Sequence, residues 1–343
     1  MPTNAALFEG VPGDRREPLQ AALAAAFRSS AVDALQPITG GASGALTYRV
    51  EAGGRAYVLR VETRRSPLRN PHQYDCMRIA SEAGIAPALR YADADAGVAI
   101  MDFVRERSLA EYPGGPNALA KDLGSLAARL QRTPAFPRLW DFPKVVERIF
   151  AFVRGSRLFT DGLLDPHAEA FERVRGAYRW DESALVSSHN DPNPRNILFD
   201  GERLWLVDWE TAYRNDPLTD VAILVESFAQ APELERTLVE SWLGCECDRT
   251  LRARLALMRQ LTRLYYAGLL LSIAASQPHE TPESDLEAPT PAEFKAAVER
   301  GEHAPGSRAT MLQLGKMQLA GFLAGMSAPG FDEALSISRE VAQ

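Results

Sequence analysis

Residues 189–210 read His189-Asn190-Asp191-Pro192-Asn193-Pro194-Arg195-Asn196-Ile197-Leu198-Phe199-Asp200-Gly201-Glu202-Arg203-Leu204-Trp205-Leu206-Val207-Asp208-Trp209-Glu210. The apolar run Ala184-Leu185-Val186 precedes this stretch, Asn196-Ile197-Leu198-Phe199 lies within it, and Asp200-Gly201 is a turn signal. The spacing predicts short strands around a tight polar loop, then a third strand ending at Asp208. Such a fold would gather three oxygen-bearing side chains. Phosphoryl transfer needs such a set: Asp191 as the base that orients and accepts the proton of an attacking hydroxyl, with the Asp208 carboxylate and the Asn196 amide oxygen holding magnesium on nucleotide phosphates. A plain polar hairpin, with Asp191, Asn193 and Asn196 capping backbone groups, is the structural alternative. No second histidine or cysteine lies within the motif, so His189 is assigned packing and orientation rather than metal ligation.

The pattern resembles the aminoglycoside phosphotransferase and choline kinase family, which carries His-x-Asp, an Asn five residues later, and a strand ending in Asp. His189-Asn190-Asp191 is closer to the choline/ethanolamine kinase branch. Pro192 and Arg195 depart from the family pattern, and Pro192 biases Asp191 toward extended backbone. The resemblance implies an α+β, bilobal protein-kinase-like fold, with a small antiparallel-sheet lobe carrying one main helix and a larger, mainly helical lobe. It also implies ATP and Mg2+ as cofactors, and transfer of the γ-phosphate to a hydroxyl of a small molecule. An amino alcohol of the choline or ethanolamine kind stands ahead of an aminoglycoside or a sugar. The rival is a catalytically silent nucleotide-binding regulatory protein; Asp191, Asn196 and Asp208 together argue against silence, since binding alone needs no proton-accepting carboxylate.

Within that resemblance, Gly40-Gly41-Ala42-Ser43-Gly44 falls where a phosphate-covering loop belongs, and Ser43 and Gly44 are assigned to the phosphates. Arg60, in Leu59-Arg60, stands where the phosphate-binding cation is expected; a guanidinium can hold phosphate oxygens with two hydrogen bonds. Its acidic partner is sought on the following helix, where Gln73, Asp75 and Glu82 are candidates. Ile100 to Val104 is the expected inter-lobe hinge, with the backbone of Met101, Asp102 and Phe103 facing the adenine edge. Glu210, Trp209 and Tyr213 are acceptor-site candidates, because acidic and aromatic groups suit an ammonium. Rings nevertheless serve more often as core. Asp220, late in Asp216-Pro217-Leu218-Thr219-Asp220, is expected to brace the catalytic loop.

The chain has 343 residues with a net charge of -7, which argues against a nucleic-acid footprint and favours a cationic ligand. Its three cysteines suggest neither a disulfide framework nor a zinc site. The strongest apolar run, Tyr265 to Ala275, falls short of the roughly 20 residues of a membrane span. No basic, then apolar, N-terminal segment is present, and a cytoplasmic enzyme without a membrane partner is expected.

Periodicity predicts a helix over 16–30, opened by Pro18, and a hairpin of Leu46–Val50 and Ala56–Val61 around Gly53-Gly54. A helix follows from Asn70 as cap and Pro71 in the first turn to Ala83, ended by Gly84. Strands are expected at Ala88–Tyr91 and Val98–Phe103. This order gives a nucleotide-binding lobe over 1–103 and a helical catalytic and acceptor-binding lobe over 104–343. Helices are expected at Ala118–Leu130, Val145–Val153, Leu218–Phe228 and Leu251–Ile273. The proline-rich, acidic stretch 277–292 reads as a mobile loop.

Overall fold

The computed structural model describes residues 11–27, 32–38, 45–63 and 70–340. Ser43 and Gly44 lie outside the described residues. The chain divides into two compact units, one of residues 1–139, 186–214 and 227–242, the other of 140–185, 215–226 and 243–343.

The first unit opens with helix α1 (Gly13–Phe27), which starts ahead of the expected 16, so Pro18 lies inside it rather than in its first turn. Strands β1 (Val32–Pro37), β2 (Ala45–Ala52), β3 (Arg55–Glu62), β4 (Leu89–Asp93) and β5 (Val98–Asp102) form one antiparallel sheet in the order β1-β2-β3-β5-β4. The β2–β3 hairpin turns through Gly53 and Gly54 at φ +57° and +72°, the left-handed pair that a two-residue turn between twisted strands requires. Alternate residues Tyr48, Val50, Leu59 and Val61, with Val98 and Ile100, bury one face of the sheet against Leu19 and Leu23 of α1. That face excludes water from the strand that carries Arg60.

Helix α2 (Gln73–Glu82) starts later than its sequence signal. Asn70 is not its cap: the Asn70 Oδ1 accepts from the His72 amide at 2.9 Å, while its Nδ2 donates to the Ala212 carbonyl. The residue has been recruited to a distant loop, which turn chemistry alone does not reveal. α2 is tied to the sheet by Gln73 Nε2 and Tyr74 Oη, each 2.5 Å from Glu62 Oε1. The first unit also holds α3 (Gly115–Gln131), β6 (Val186–Ser188), β7 (Ile197–Phe199), β8 (Leu204–Leu206) and α7 (Pro232–Leu243), with α6 (Leu218–Phe228) assigned to the second. β7 and β8 pair antiparallel as the turn signal requires. β6 pairs instead with β9 (Tyr213–Asn215), which the sequence did not announce.

In the second unit, α8 (Arg249–Ala275) is the spine. α4 (Phe142–Gly155), α10 (Arg308–Met326) and α11 (Phe331–Glu340) pack on it. Gly268 of α8 admits Ile149 of α4 so closely that an added Cβ would lie 2.4 Å from its Cγ2. α5 (Asp165–Ala177), α10, α11 and the α7 of the first unit were not read from the sequence. Residues 277–292 are pinned rather than loose. Glu283 exchanges backbone hydrogen bonds with Leu158 and Thr160 at 2.8 and 2.9 Å. Its carboxylate meets Arg308 and Lys316 at 3.0 and 3.3 Å. Thr290 and Glu293 then form a capping box that starts α9 (Pro291–Glu299). Proline-rich composition hid these partners because they come from other segments. Among the described residues no helix is long and apolar enough to cross a membrane.

Candidate active site

The loop between β6 and β7 and the end of β8 belong to one unit, and their positions rest on buried backbone contacts. Asn190 takes a left-handed φ of +64°, which Asn tolerates better than most residues. Its Nδ2 donates to the carbonyls of Thr211 at 2.8 Å and Tyr213 at 3.3 Å, and its Oδ1 accepts from Ser188 at 3.0 Å. His189 is fully buried. Its Nε2 lies 2.9 Å from the Val207 carbonyl, which can only accept, so that nitrogen carries the proton. The ring also packs on Trp209 at 4.7 Å, the orienting role expected of it.

Asp191 emerges from this scaffold with both carboxylate oxygens directed. Asn193 Nδ2 donates to its Oδ1 at 2.8 Å, and Asn196 Nδ2 to its Oδ2 at 3.1 Å and its carbonyl at 2.9 Å. Because the Asn196 nitrogen is spent on Asp191, its amide oxygen points away from that carboxylate. The Asn196 main-chain carbonyl accepts from the Val207 amide at 3.0 Å. One asparagine therefore links Asp191 to the residue preceding Asp208. Asp208 itself is left-handed, at φ +67°, and starts a 3-10 turn over Trp209–Thr211.

Arg60 does not reach the α2 candidates Gln73, Asp75 or Glu82. Its Nη1 is 2.5 Å from Asp208 Oδ1, and its Nη2 is 2.8 Å from Glu210 Oε2. Burial works against its charge, but Asp208 and then Glu210 outweigh it and raise its pKa above the ordinary arginine value. Glu210 thus faces a cation of its own chain. Trp209 is 1% exposed and packs edge-on against Phe136 at 6.0 Å. Tyr213 is buried in β9. Both aromatic acceptor candidates are core, as their buried area favours. The expected hinge needs a similar correction. The Asp102 amide donates to the Ala88 carbonyl at 2.9 Å and the Phe103 amide to Ala56 at 3.2 Å, so neither N–H is left for an adenine edge. The Asp102 carboxylate forks onto Arg90 at 2.6 Å, and Met101 is buried. The next amide, that of Val104, has no hydrogen-bond partner among the described residues.

Hard oxygen donors suit magnesium, which binds proteins through one or two carboxylates and completes its shell with water and phosphate. Asn196 and Asp208 fit that chemistry. Among the described residues no three His, Cys, Asp or Glu side chains form a cage able to hold a metal by themselves.

Residues 34–257 match the family described as "Phosphotransferase enzyme family". LicA of Haemophilus influenzae is 36% identical over 69 residues, which cover 20% of this chain and 24% of that protein. The matched region thus spans about a quarter of that curated relative's length. A choline/ethanolamine kinase family protein from Mesorhizobium loti has the same fold at 20% identity and a TM-score of 0.68, covering 95% of this chain and 99% of that one. A spectinomycin phosphotransferase, solved with ADP and spectinomycin, overlaps with a TM-score of 0.54 at 13% identity, over 88% of this chain and 98% of that one. From residue 34 to residue 257, and so over more than half its length, the chain belongs to the phosphotransferase enzyme family.

Proposed function

We propose that the chain is an ATP- and magnesium-dependent kinase that moves the γ-phosphate to a hydroxyl of a small amino alcohol of the choline or ethanolamine kind. The observation that carries this reading is Asn196, hydrogen-bonded to Asp191 on one side and to the residue before Asp208 on the other. Asp191 acts as the base: its oxygens are aimed by two asparagines, and it accepts the proton of the acceptor hydroxyl. Asn196 and Asp208 hold magnesium, whose charge offsets that developing on the phosphates. Arg60 supplies a guanidinium to the phosphates, and residues 1–103, including Ser43 and Gly44, form the nucleotide-binding lobe. The Val104 amide is the donor proposed for the adenine edge.

Two considerations support reading an amino alcohol ahead of an aminoglycoside or sugar. The larger structural overlap is with the choline/ethanolamine kinase family protein, and the chain's net charge of -7 favours a cationic acceptor. The test is calorimetry with ADP and magnesium, followed by a phosphorylation screen over amino alcohols, aminoglycosides and sugars. Nucleotide binding with turnover on an amino alcohol is expected. Absence of nucleotide binding sinks the kinase reading, and nucleotide binding without turnover on any acceptor favours the silent regulator.

A further inference from the structure

Helix α8 carries a row of arginines. Arg249, Arg252, Arg259 and Arg263 recur at spacings of three, seven and four residues, which return to one face of a helix. Opposite them, α10 and its link to α11 present Gly321, Ala324, Gly325 and Ala328, and the two walls enclose an open cleft of about 550 Å3. The cleft lies in the second unit, and none of Arg60, Asp191, Asn196 or Asp208 lines it. Among the described residues its charged lining is the four arginines and Glu333. Like charges three or four residues apart on a helix repel, as Arg249 and Arg252 do, and Arg259 and Arg263. The floor is polar as well: Gln260 is 4% exposed, and an added Cβ on Gly325 would collide with its amide.

The inner and outer arginines differ in how they are held. Arg259 Nε and Arg263 Nη2 both donate to Glu226 of α6, the latter at 2.6 Å, and Arg263 Nη1 donates to the Gly321 carbonyl at 2.9 Å. Their side chains are 23% and 21% exposed, so the inner pair is fixed before any ligand arrives. Arg249 and Arg252 are 73% and 63% exposed. Arg249 meets Glu333 across the cleft, while Arg252 donates to the Cys247 carbonyl at 2.6 Å and has Glu246 4.0 Å away. Exposed pairs of this kind exchange partners at little cost. We infer that the cleft binds a small organic phosphate. Arg252 and Arg259 start about 10 Å apart along the axis, a gap that two arginine side chains close from either end. A phosphate dianion between them accepts charge-assisted hydrogen bonds from both and relieves the repulsion along the row. Its carbon skeleton lies on Ala256, Ala324 and Ile337, and the cleft's volume falls within the roughly 300–1,000 Å3 of small-molecule sites. This anion site is independent of the kinase reading.

The test uses the full chain in excess ADP and Mg2+, so that a nucleotide site is already filled, with 1-naphthyl phosphate as the probe. Calorimetry reads binding, and circular dichroism melts are the folding control. Wild type should bind the ester more tightly than either 1-naphthol or inorganic phosphate, because head and skeleton both contribute. Arg252→Gln and Arg259→Gln together should weaken it about tenfold or more, the loss expected for charge-assisted hydrogen bonds. Glu333→Gln should tighten it, since a carboxylate that competes for Arg249 is gone. Ala324→Phe, at an exposed position of α10, fills the cleft without touching an arginine, and should abolish binding with the melt unchanged. No binding by wild type at millimolar ester overturns the inference, as does unchanged binding in folded Ala324→Phe. Equal affinity for 1-naphthol or for inorganic phosphate overturns it too, and so does displacement of the ester by more ADP. A poly-glutamate peptide that binds wild type where the ester does not would make the cleft a dock for an acidic chain and sink the small-molecule site.

Discussion

Two cations, one in each unit, are held between pairs of carboxylates, and their settings differ. Arg60 lies between Asp208 and Glu210. Lys316, 7% exposed, lies between Glu283 and Asp285 at 3.3 and 3.1 Å. A second cation, Arg308, also meets Glu283 at 3.0 Å. Lys316 sits inside α10 and, with Arg308, ties down a proline-rich segment whose backbone is also bonded to Leu158 and Thr160. Arg60 meets carboxylates at the end of a two-stranded hairpin, one of them left-handed and one residue from the Val207 that Asn196 and His189 both hold. A bridging cation alone does not mark a functional site; the groups wired to its partners do.

The largest effect expected lies on the Arg60 side of the comparison. Asp191→Asn keeps the size of the side chain but removes the proton acceptor, so turnover should fall by about a hundredfold or more with ADP affinity retained. Steady-state phosphorylation of the acceptor found in the screen, alongside ADP calorimetry, measures both. An equal loss of ADP binding would recast Asp191 as a metal ligand.

On the Lys316 side the effect should fall on stability instead. Lys316→Met leaves Asp285 without its cation and Glu283 with Arg308 alone, and because Asp285 is largely solvated the loss should be about 1 kcal/mol. Urea unfolding of wild type and variant checks this, with ADP affinity at low denaturant expected to stay the same. A change in ADP affinity without a change in stability would erase the contrast between the two cations.

The smallest effect is in pH. The Lys316 hydrogen bond holds the Asp285 carboxyl below the ordinary carboxylate range. A depressed folded pKa contributes stability that is present above the unfolded value of about 3.9 and disappears as pH falls through the folded value. Asp285→Asn should therefore melt slightly below wild type near neutrality, and the gap should close as the medium is acidified into that range. A gap that persists in acid would assign the difference to packing.

Much of the site was legible because its signals are contiguous. Asp200-Gly201 sets the β7–β8 hairpin, and five residues of polar turn chemistry bring Asn196 back to Asp191. The β2–β3 hairpin and α6 followed their turn and periodicity signals in the same way. What the sequence withheld depends on distant approaches. Asn70 looked like a helix cap and bonds a carbonyl 142 residues away. The backbone of Asp102 and Phe103 was expected at an adenine edge, but the carbonyls of Ala88 and Ala56 take their amides. Trp209 and Tyr213 offered ammonium-binding faces that burial removed.

The sequence by itself determined which chemical groups the loop over residues 189–196 carries and how that loop turns, because both depend on residues within a few positions of one another. It singled out Arg60 as a candidate phosphate-binding cation and could not name its partners. Only the tertiary structure decided that Arg60 meets Asp208 and Glu210 rather than a residue of α2, 148 and 150 positions along the chain. The physical reason is that an ion pair is specified by which surfaces pack together, and packing over that separation follows from the whole unit and not from local spacing.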